Sequence, residues 1–308
     1  MPRRRQARQQ DLIPGLVARG DLDWDRLAQV RYLIHQRFRY EYPAPIQGLR
    51  HRLMIVPPNH HGDQRTVVSH LLVTPSAGAR VRRRPDGFRN VVVEVSLAEV
   101  RMAIDFEAWI AVDRHAPVRP PQVASPWLRD PRLLEPGGLT EPGRRLQHVA
   151  RRLRAEGSEG VGLAESANAW VHSRLRYRWG VTGVRTTAAE ALSQGEGVCQ
   201  DFAHVMLALC RLLGLPCRYV SGHLLGEGGT HAWVEVLVPS GSGATVLAFD
   251  PTNGRRAGVQ HVTVAVGRDY DDVAPTSGSY SSGPAGVLTN AKRVDITGFA
   301  YRRRAAST

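Results

Sequence analysis

The sequence predicts an α+β protein, an antiparallel β-sandwich followed by a unit in which helices precede an antiparallel sheet. Three observations predict it. Short apolar runs at 52–56, 67–73, 91–96 and 108–112 are separated by Pro, Gly, Asn and Asp, as in a sandwich. Helical apolar periodicity appears at 144–156, at 163–176 and again from Cys199 to Leu213. Strand patterns then follow near 217–224, 231–238, 244–250 and 260–266, with a last one at 293–299.

Taken in order, residues 1–27 are polar and arginine-rich, with no folding pattern. Residues 28–112 form the expected sandwich domain. From Arg31 onward, Tyr32, Ile34, Phe38 and Tyr40 alternate with more polar neighbours, Leu33 apart. The adjacent His60 and His61 in PPNHHGD read as an exposed loop rather than as metal ligands. Residues 113–143 carry many prolines and few regular patterns, which reads as a linker. The second unit spans 144–300, and 301–308 is a basic tail. Thr187 and Glu190 have capping-box spacing ahead of a short helix, AAEALSQ. The stretch 267–286 is rich in Gly, Ser, Asp and Pro and is too long for a bare connection; it is either ordered near a cleft or disordered.

A chain of 308 residues can bury two cores. No apolar stretch approaches the length that spans a bilayer, and MPRRRQARQQDLIPG lacks the apolar region of a secretory signal. Three cysteines without a C-x-x-C pair argue against a disulfide framework or a structural zinc site, so a reducing cytoplasm is the expected setting. Cys210 follows Cys199 on the same helical stripe but about 16 Å along the axis, too far to bridge. The formal charge of +13 comes almost wholly from arginine, since Lys292 is the single lysine. Its clusters at 3–5, 82–84 and 302–304 have no interleaved aromatics, so they read as solvated surface rather than a specific nucleic-acid site.

The most informative stretch is GEGVCQDFAH, residues 195–204. Two glycines break the backbone, and an amphipathic run through Phe202, Val205, Met206, Leu209 and Leu213 then ends at Gly214 and Pro216. Cys199 therefore stands at a helix N-terminus, where unpaired amides and the helix dipole favour a thiolate. Read alone, it is equally a small buried apolar residue. Along that helix Asp201 points away from Cys199, and His204 lies roughly 140° away, so a general base has to come from another element. His231 opens HAWVEVLVP, in which Ala232, Val234, Val236 and Val238 alternate as a half-buried strand. Asp250 ends the apolar run ATVLAF, just before Pro251. A helix-borne cysteine followed by histidine and acid on consecutive strands is what covalent acyl transfer needs.

These residues resemble a known family. GVCQDFAHVMLALCRLLGLPCRYVSGHL, THAWVEVLVP and FDPTNG are similar to the core motifs of bacterial transglutaminase-like proteins, which share the papain-like cysteine-protease fold. RYEYPAPIQGLRHRLMIVP and GFRN resemble the N-terminal β domain often fused to that core, and GRDYDDVAPTSGSY resembles the segment after the acid. The likeness runs from about residue 30 to residue 299. It implies Cys199 as nucleophile, His231 as base and Asp250 as orienting acid. One departure is the glycine-rich lead GEGGTHAW into His231.

The expected reaction is attack of the Cys199 thiolate on a carboxamide or peptide carbonyl, giving a thioester that water or an amine then resolves. The Cys199 amide is a natural oxyanion donor, and Gln194 upstream is either a second donor or a solvated turn residue. Trp233 falls on the same strand face as His231, either lining the cleft or in the core. Asp201 and His204 are expected to hold local structure, and Tyr219 and His223 to pack. No cofactor and no metal ligand set is expected. The partner class is a protein or peptide carrying an amide carbonyl; the alternative is a catalytically inactive binding module on the same fold.

Overall fold

Alternation of inward apolar and outward polar residues builds the first half of the molecule. In the computed structural model, which describes residues 17, 20, 22–116, 119–226 and 230–302, it places β1 (Leu27–Glu41), β2 (Ile46–Val56), β3 (His60–His61), β4 (Gln64–Thr74), β5 (Arg80–Pro85), β6 (Val91–Val100) and β7 (Ala103–His115). Tyr32, Ile34, Leu53, Val93, Phe106 and Ile110 are sealed between two sheets. The basic clusters at 3–5 and 303–304, and most of the glycine-rich lead into His231, lie outside the described residues.

The chain then crosses to the core. The expected linker 113–143 is not bare: β8 (Gln122–Ala124) pairs with the core sheet and α1 (Pro131–Leu134) follows. Next come α2 (Arg144–Ala155), α3 (Gly160–Arg174), the two-residue β9 (Arg176–Tyr177), α4 (Ala188–Gln194), β10 (Glu196–Gly197) and α5 (Cys199–Leu212). Thr187 caps α4 in a reciprocal box with Glu190, as its spacing predicts. Residues 200–211 of α5 are all buried, because α2, α3 and α4 cover one side and the sheet the other. That sheet holds β11 (Cys217–Leu224), β12 (His231–Ser240), β13 (Gly243–Asp250), β14 (Arg255–Arg256) and β15 (His261–Gly267), in the order β14-β13-β12-β11-β15.

Residues after β15 correct the expected domain boundary. The stretch 267–286 is ordered in part as α6 (Tyr270–Val273) and β16 (Thr276–Ser279). β16 pairs with β2, and the last strand, β17 (Val287–Tyr301), pairs with β1. The sandwich sheets are thus β17-β1-β7-β4-β3 and β16-β2-β6-β5, antiparallel throughout. The expected core of 144–300 ends before β16, and the C-terminal strand returns to the N-terminal domain. The sequence marks β17 as a strand but carries no signal for its partner, because only Ile296 along it is buried.

The two domains are joined by side chains that complete the core's edge strand. β15 ends the sheet with unpaired backbone groups, which cost free energy unless bonded. Gln64 donates from Nε2 to Thr263 O at 2.7 Å and accepts Thr263 N–H at 2.8 Å. Asn90 does the same to Val266, at 2.7 and 2.8 Å. His61, expected in an exposed loop, instead donates to the buried Glu235 carboxylate at 2.7 Å, and Arg218 binds the other oxygen. Lys292 donates to His223 Nδ1 at 3.1 Å.

Two buried histidines make folding sensitive to acid. Burial pushes His51, stacked on Phe106, down to about 4, and pushes His204 down to about 3 with the nearby Arg211 charge adding to it. A histidine lowered in the folded state contributes its stability above its unfolded value of about 6.5 and loses it as pH falls toward the folded value. Each therefore costs about 1.4 kcal/mol per pH unit below about 6.5, before most carboxylates titrate. Urea midpoints measured from about pH 7 to about pH 5 are expected to fall, and His51→Phe to flatten the slope. An unchanged slope in that variant would show His51 charged or exposed in the fold.

Candidate active site

Cys199 is placed by a tight local turn. Gly195, at a φ of 74°, ends α4, and β10 pairs with β9 in parallel, fixing the strand that leads into the thiol. Asp201 reaches back to accept Val198 N–H at 2.7 Å, and Thr182 donates to the same oxygen at 2.6 Å. A Cβ at Gly197 would meet that oxygen at 2.6 Å, so the return needs glycine there. Burial raises the Asp201 carboxyl despite these two bonds. The first amides of α5, those of Cys199 and Gln200, have no intrahelical acceptor and are natural donors to a developing oxyanion. The half-buried Cys199 Sγ lies 3.8 Å from Thr230 O, the residue just before His231.

His231 opens β12 and Asp250 closes β13, on neighbouring strands. The side chains of both are fully buried, and His231 Nε2–H donates to Asp250 Oδ2 at 2.9 Å. A carboxylate only accepts, so the proton sits on Nε2 and Nδ1 is left as the basic nitrogen of the ring. His261 Nε2–H donates to the same oxygen at 3.0 Å, and Asn253 adds its Nδ2–H at 2.8 Å and its backbone N–H to Oδ1 at 3.2 Å. Burial alone would raise the Asp250 carboxyl, but the bonds from His231 and His261, with the charge of His231 and the Asn253 amide, hold it well below the usual carboxylate range.

His231, Asp250 and His261 bring potential ligand atoms within 4.8 Å of one another. Gly258 N–H donates to His261 Nδ1 at 3.2 Å, so the His261 proton sits on Nε2 and faces Asp250. The trio is therefore wired as N–H donors on a carboxylate, and a metal would have to displace two ring protons.

The other sequence candidates divide. Trp233 is buried, lies 6.1 Å and 27° from the His231 ring, and meets the His261 ring edge-on at 5.2 Å. It also lines a cavity of about 560 Å³ between the domains. The exposed Gln194 lines a surface groove with Ser173, Arg174, Leu175, Arg176, Gly195 and Glu196, as a solvated turn residue would. His204 Nε2 accepts Tyr270 N–H at 3.2 Å and packs on Tyr219, a structural position. Tyr219, His223, Cys210 and Cys217 are buried. Sequence reasoning missed His261, Asn253 and Thr182, each an ordinary polar residue without a distinguishing pattern.

Comparison with known proteins agrees with this fold. Residues 147–251 match the transglutaminase-like superfamily, a span that contains Cys199, His231 and Asp250. Residues 32–113 match the bacterial transglutaminase-like N-terminal region. An uncharacterized protein of Mycobacterium leprae is 39% identical over 159 residues, covering 48% of this chain, which spans only about half (55%) of that relative's length. An uncharacterized protein of Mycobacterium tuberculosis is 28% identical over 276 residues, covering 80% of this chain and 87% of the relative. In fold, a Cytophaga hutchinsonii protein described as a candidate cysteine protease superposes with a TM-score of 0.72 at 19% identity, over 91% of this chain and 94% of that one. The papain-like core behind a β-sandwich and the two matched spans lead to one conclusion: the chain belongs to the transglutaminase-like superfamily, with the bacterial N-terminal region ahead of its core.

Proposed function

We propose that this protein is a cysteine-dependent enzyme that cleaves an amide bond of a protein or peptide through a thioester. The carrying observation is the buried His231–Asp250 pair at the start of β12, with the Cys199 thiol lying against the preceding residue at the head of α5. In the first half-reaction His231 Nδ1 takes the thiol proton and Sγ bonds to the carbonyl carbon. The helix amides receive the oxyanion, the C–N bond breaks, and His231 returns the proton to the leaving amine. In the second, water or a primary amine attacks the thioester, giving acid or a new amide and restoring the thiol. The free thiols of Cys199, Cys210 and Cys217 fit a reducing compartment, and the cytoplasm is the setting in this reading. Among the described residues no helix is long and apolar enough to cross a membrane.

The test pairs substrate profiling with thiol labelling. Peptide-bound glutamine and small amides are offered with and without a primary amine, and product acid and product amide are counted separately. Iodoacetamide is expected to modify Cys199 alone and to abolish turnover with a single adduct, because Cys210 and Cys217 are fully buried. No acid, amide or ammonia from any substrate, with Cys199 labelled no faster than an ordinary thiol, would establish the non-catalytic binding module instead.

A further inference from the structure

His261 has no part in the reaction written above, yet it is built into the same centre. It is 2% exposed, its Nε2–H bonds Asp250 Oδ2, and its ring is boxed by Trp233 and, at 5.8 Å, by His231. The strand that carries it is the edge strand held by the N-terminal domain. Gln64 and Asn90 grip Thr263 and Val266 beyond it. Before it, Tyr32 donates to Val259 O at 2.9 Å and Arg114 to Gly258 O at 3.4 Å, and Gly258 N–H fixes the His261 tautomer. Four side chains of the sandwich thus clamp both flanks of a single imidazole.

We propose that His261 is a positioning residue that holds Asp250 in register with His231, and that the N-terminal domain acts on the reaction through it. The inference rests on the thiol chemistry proposed above. A carboxylate at a strand terminus turns about its own side-chain bonds, and one imidazole bond fixes one direction only. A second N–H on the same oxygen, from a ring that cannot turn, fixes the plane. Three donors on Oδ2 also spread its charge, so the proton that His231 takes from Cys199 stays on His231 for the leaving amine. The charged and titratable groups facing His261 are Asp250, His231 and Arg114; burial, with the last two, keeps it neutral against the pull of Asp250.

The experiment compares wild type, Cys199→Ser, His261→Phe and His261→Gln. Phenylalanine keeps the ring volume and drops the donor, and glutamine restores an N–H. The readouts are kcat, KM, the pH dependence of iodoacetamide labelling at Cys199, and the thermal midpoint. His261→Phe is expected to lose about 10- to 100-fold in kcat, the usual cost of removing a group that orients a functional histidine, with KM within about twofold. Its labelling profile shifts along the pH axis, and His261→Gln recovers part of the loss. Gln64→Met, which frees Thr263 without touching the triad, lowers kcat in the same direction by a smaller factor. Wild-type Cys199 that labels no faster than a free thiol sinks the thiol chemistry itself. Fast wild-type labelling with unchanged kcat and profile in His261→Phe overturns only the positioning role, and an unchanged kcat in Gln64→Met overturns the domain's share. Should His261→Phe not fold, nitrogen NMR of histidine-labelled wild type decides: a neutral Nε2–H tautomer of His261 near neutral pH supports the assignment, and an Nδ1–H tautomer or a charged ring overturns it.

Discussion

Cys199→Ser is expected to reduce turnover by about 10⁴-fold or more while the fold is retained. The hydroxyl is close in size to the thiol and is welcome in a first helical turn, so α5, its Asp201 return and its packing stay in place. What is lost is the anion, since a serine hydroxyl keeps its proton where a cysteine thiol gives it up. Circular dichroism and the thermal midpoint of the variant should match wild type, and single-turnover kinetics should show no thioester. Cys210→Ala and Cys217→Ala supply the contrast. Cys210 on α5 and Cys217 on β11 are both sealed in the core, so those variants keep turnover and lose about 1 kcal/mol of stability to a small cavity. Unimpaired turnover in purified Cys199→Ser would exclude the covalent route.

The second large effect separates base from acid. His231→Ala removes the group that both accepts and returns the proton, and about 10⁶-fold in kcat is expected to go with it. Asp250→Asn should cost less, about 10⁴-fold, because the carboxylate orients the imidazole without taking the proton. Here the asparagine carries a second penalty. Asp250 receives N–H groups from His231, His261 and Asn253 on its two oxygens, and an amide turns an NH₂ toward at least one of them. A buried donor facing a donor costs about 1–3 kcal/mol, so this variant should be less stable than wild type as well as slow. His204→Ala is the control: it loses the Tyr270 amide's acceptor and some stability but keeps its turnover. A well-folded His204→Ala without activity, beside an active His231→Ala, would reverse the assignment of the base.

The parts legible in the sequence were those where one residue type repeats at a fixed period. The helix that begins at Cys199 and the alternation through Ala232, Val234 and Val236 fixed the carriers of thiol and imidazole, and the motifs supplied the acid. What stayed hidden depends on partners distant along the chain. Arg80–Pro85 is exposed along its whole length, so no apolar pattern marks it as a strand; it exists because β6 pairs with it. The strand Val287–Tyr301 carries a strand pattern, but nothing in it says that β1 is its neighbour, 246 residues earlier at the pair Val287 and Glu41. Gln64 and Asn90 are lone polar residues among strands, and their meaning appears only when an unpaired edge lies opposite. His261 shows the same limit at the site, where its role comes from an oxygen that another histidine already holds.

The contact between Lys292 and His223 has a consequence for bystander chemistry. In the proposed chemistry, a thioester that is resolved by an amine also meets whatever amines the enzyme's own surface presents. This chain offers that reaction one lysine side chain, and its ammonium is engaged at the junction of the two domains beside a buried, uncharged imidazole. In the proposed reaction with an amine acceptor, this chain is therefore a poor acceptor for the thioester of a neighbouring copy. Arginine carries the remaining positive charge, keeping the surface cationic with groups too weakly nucleophilic to compete.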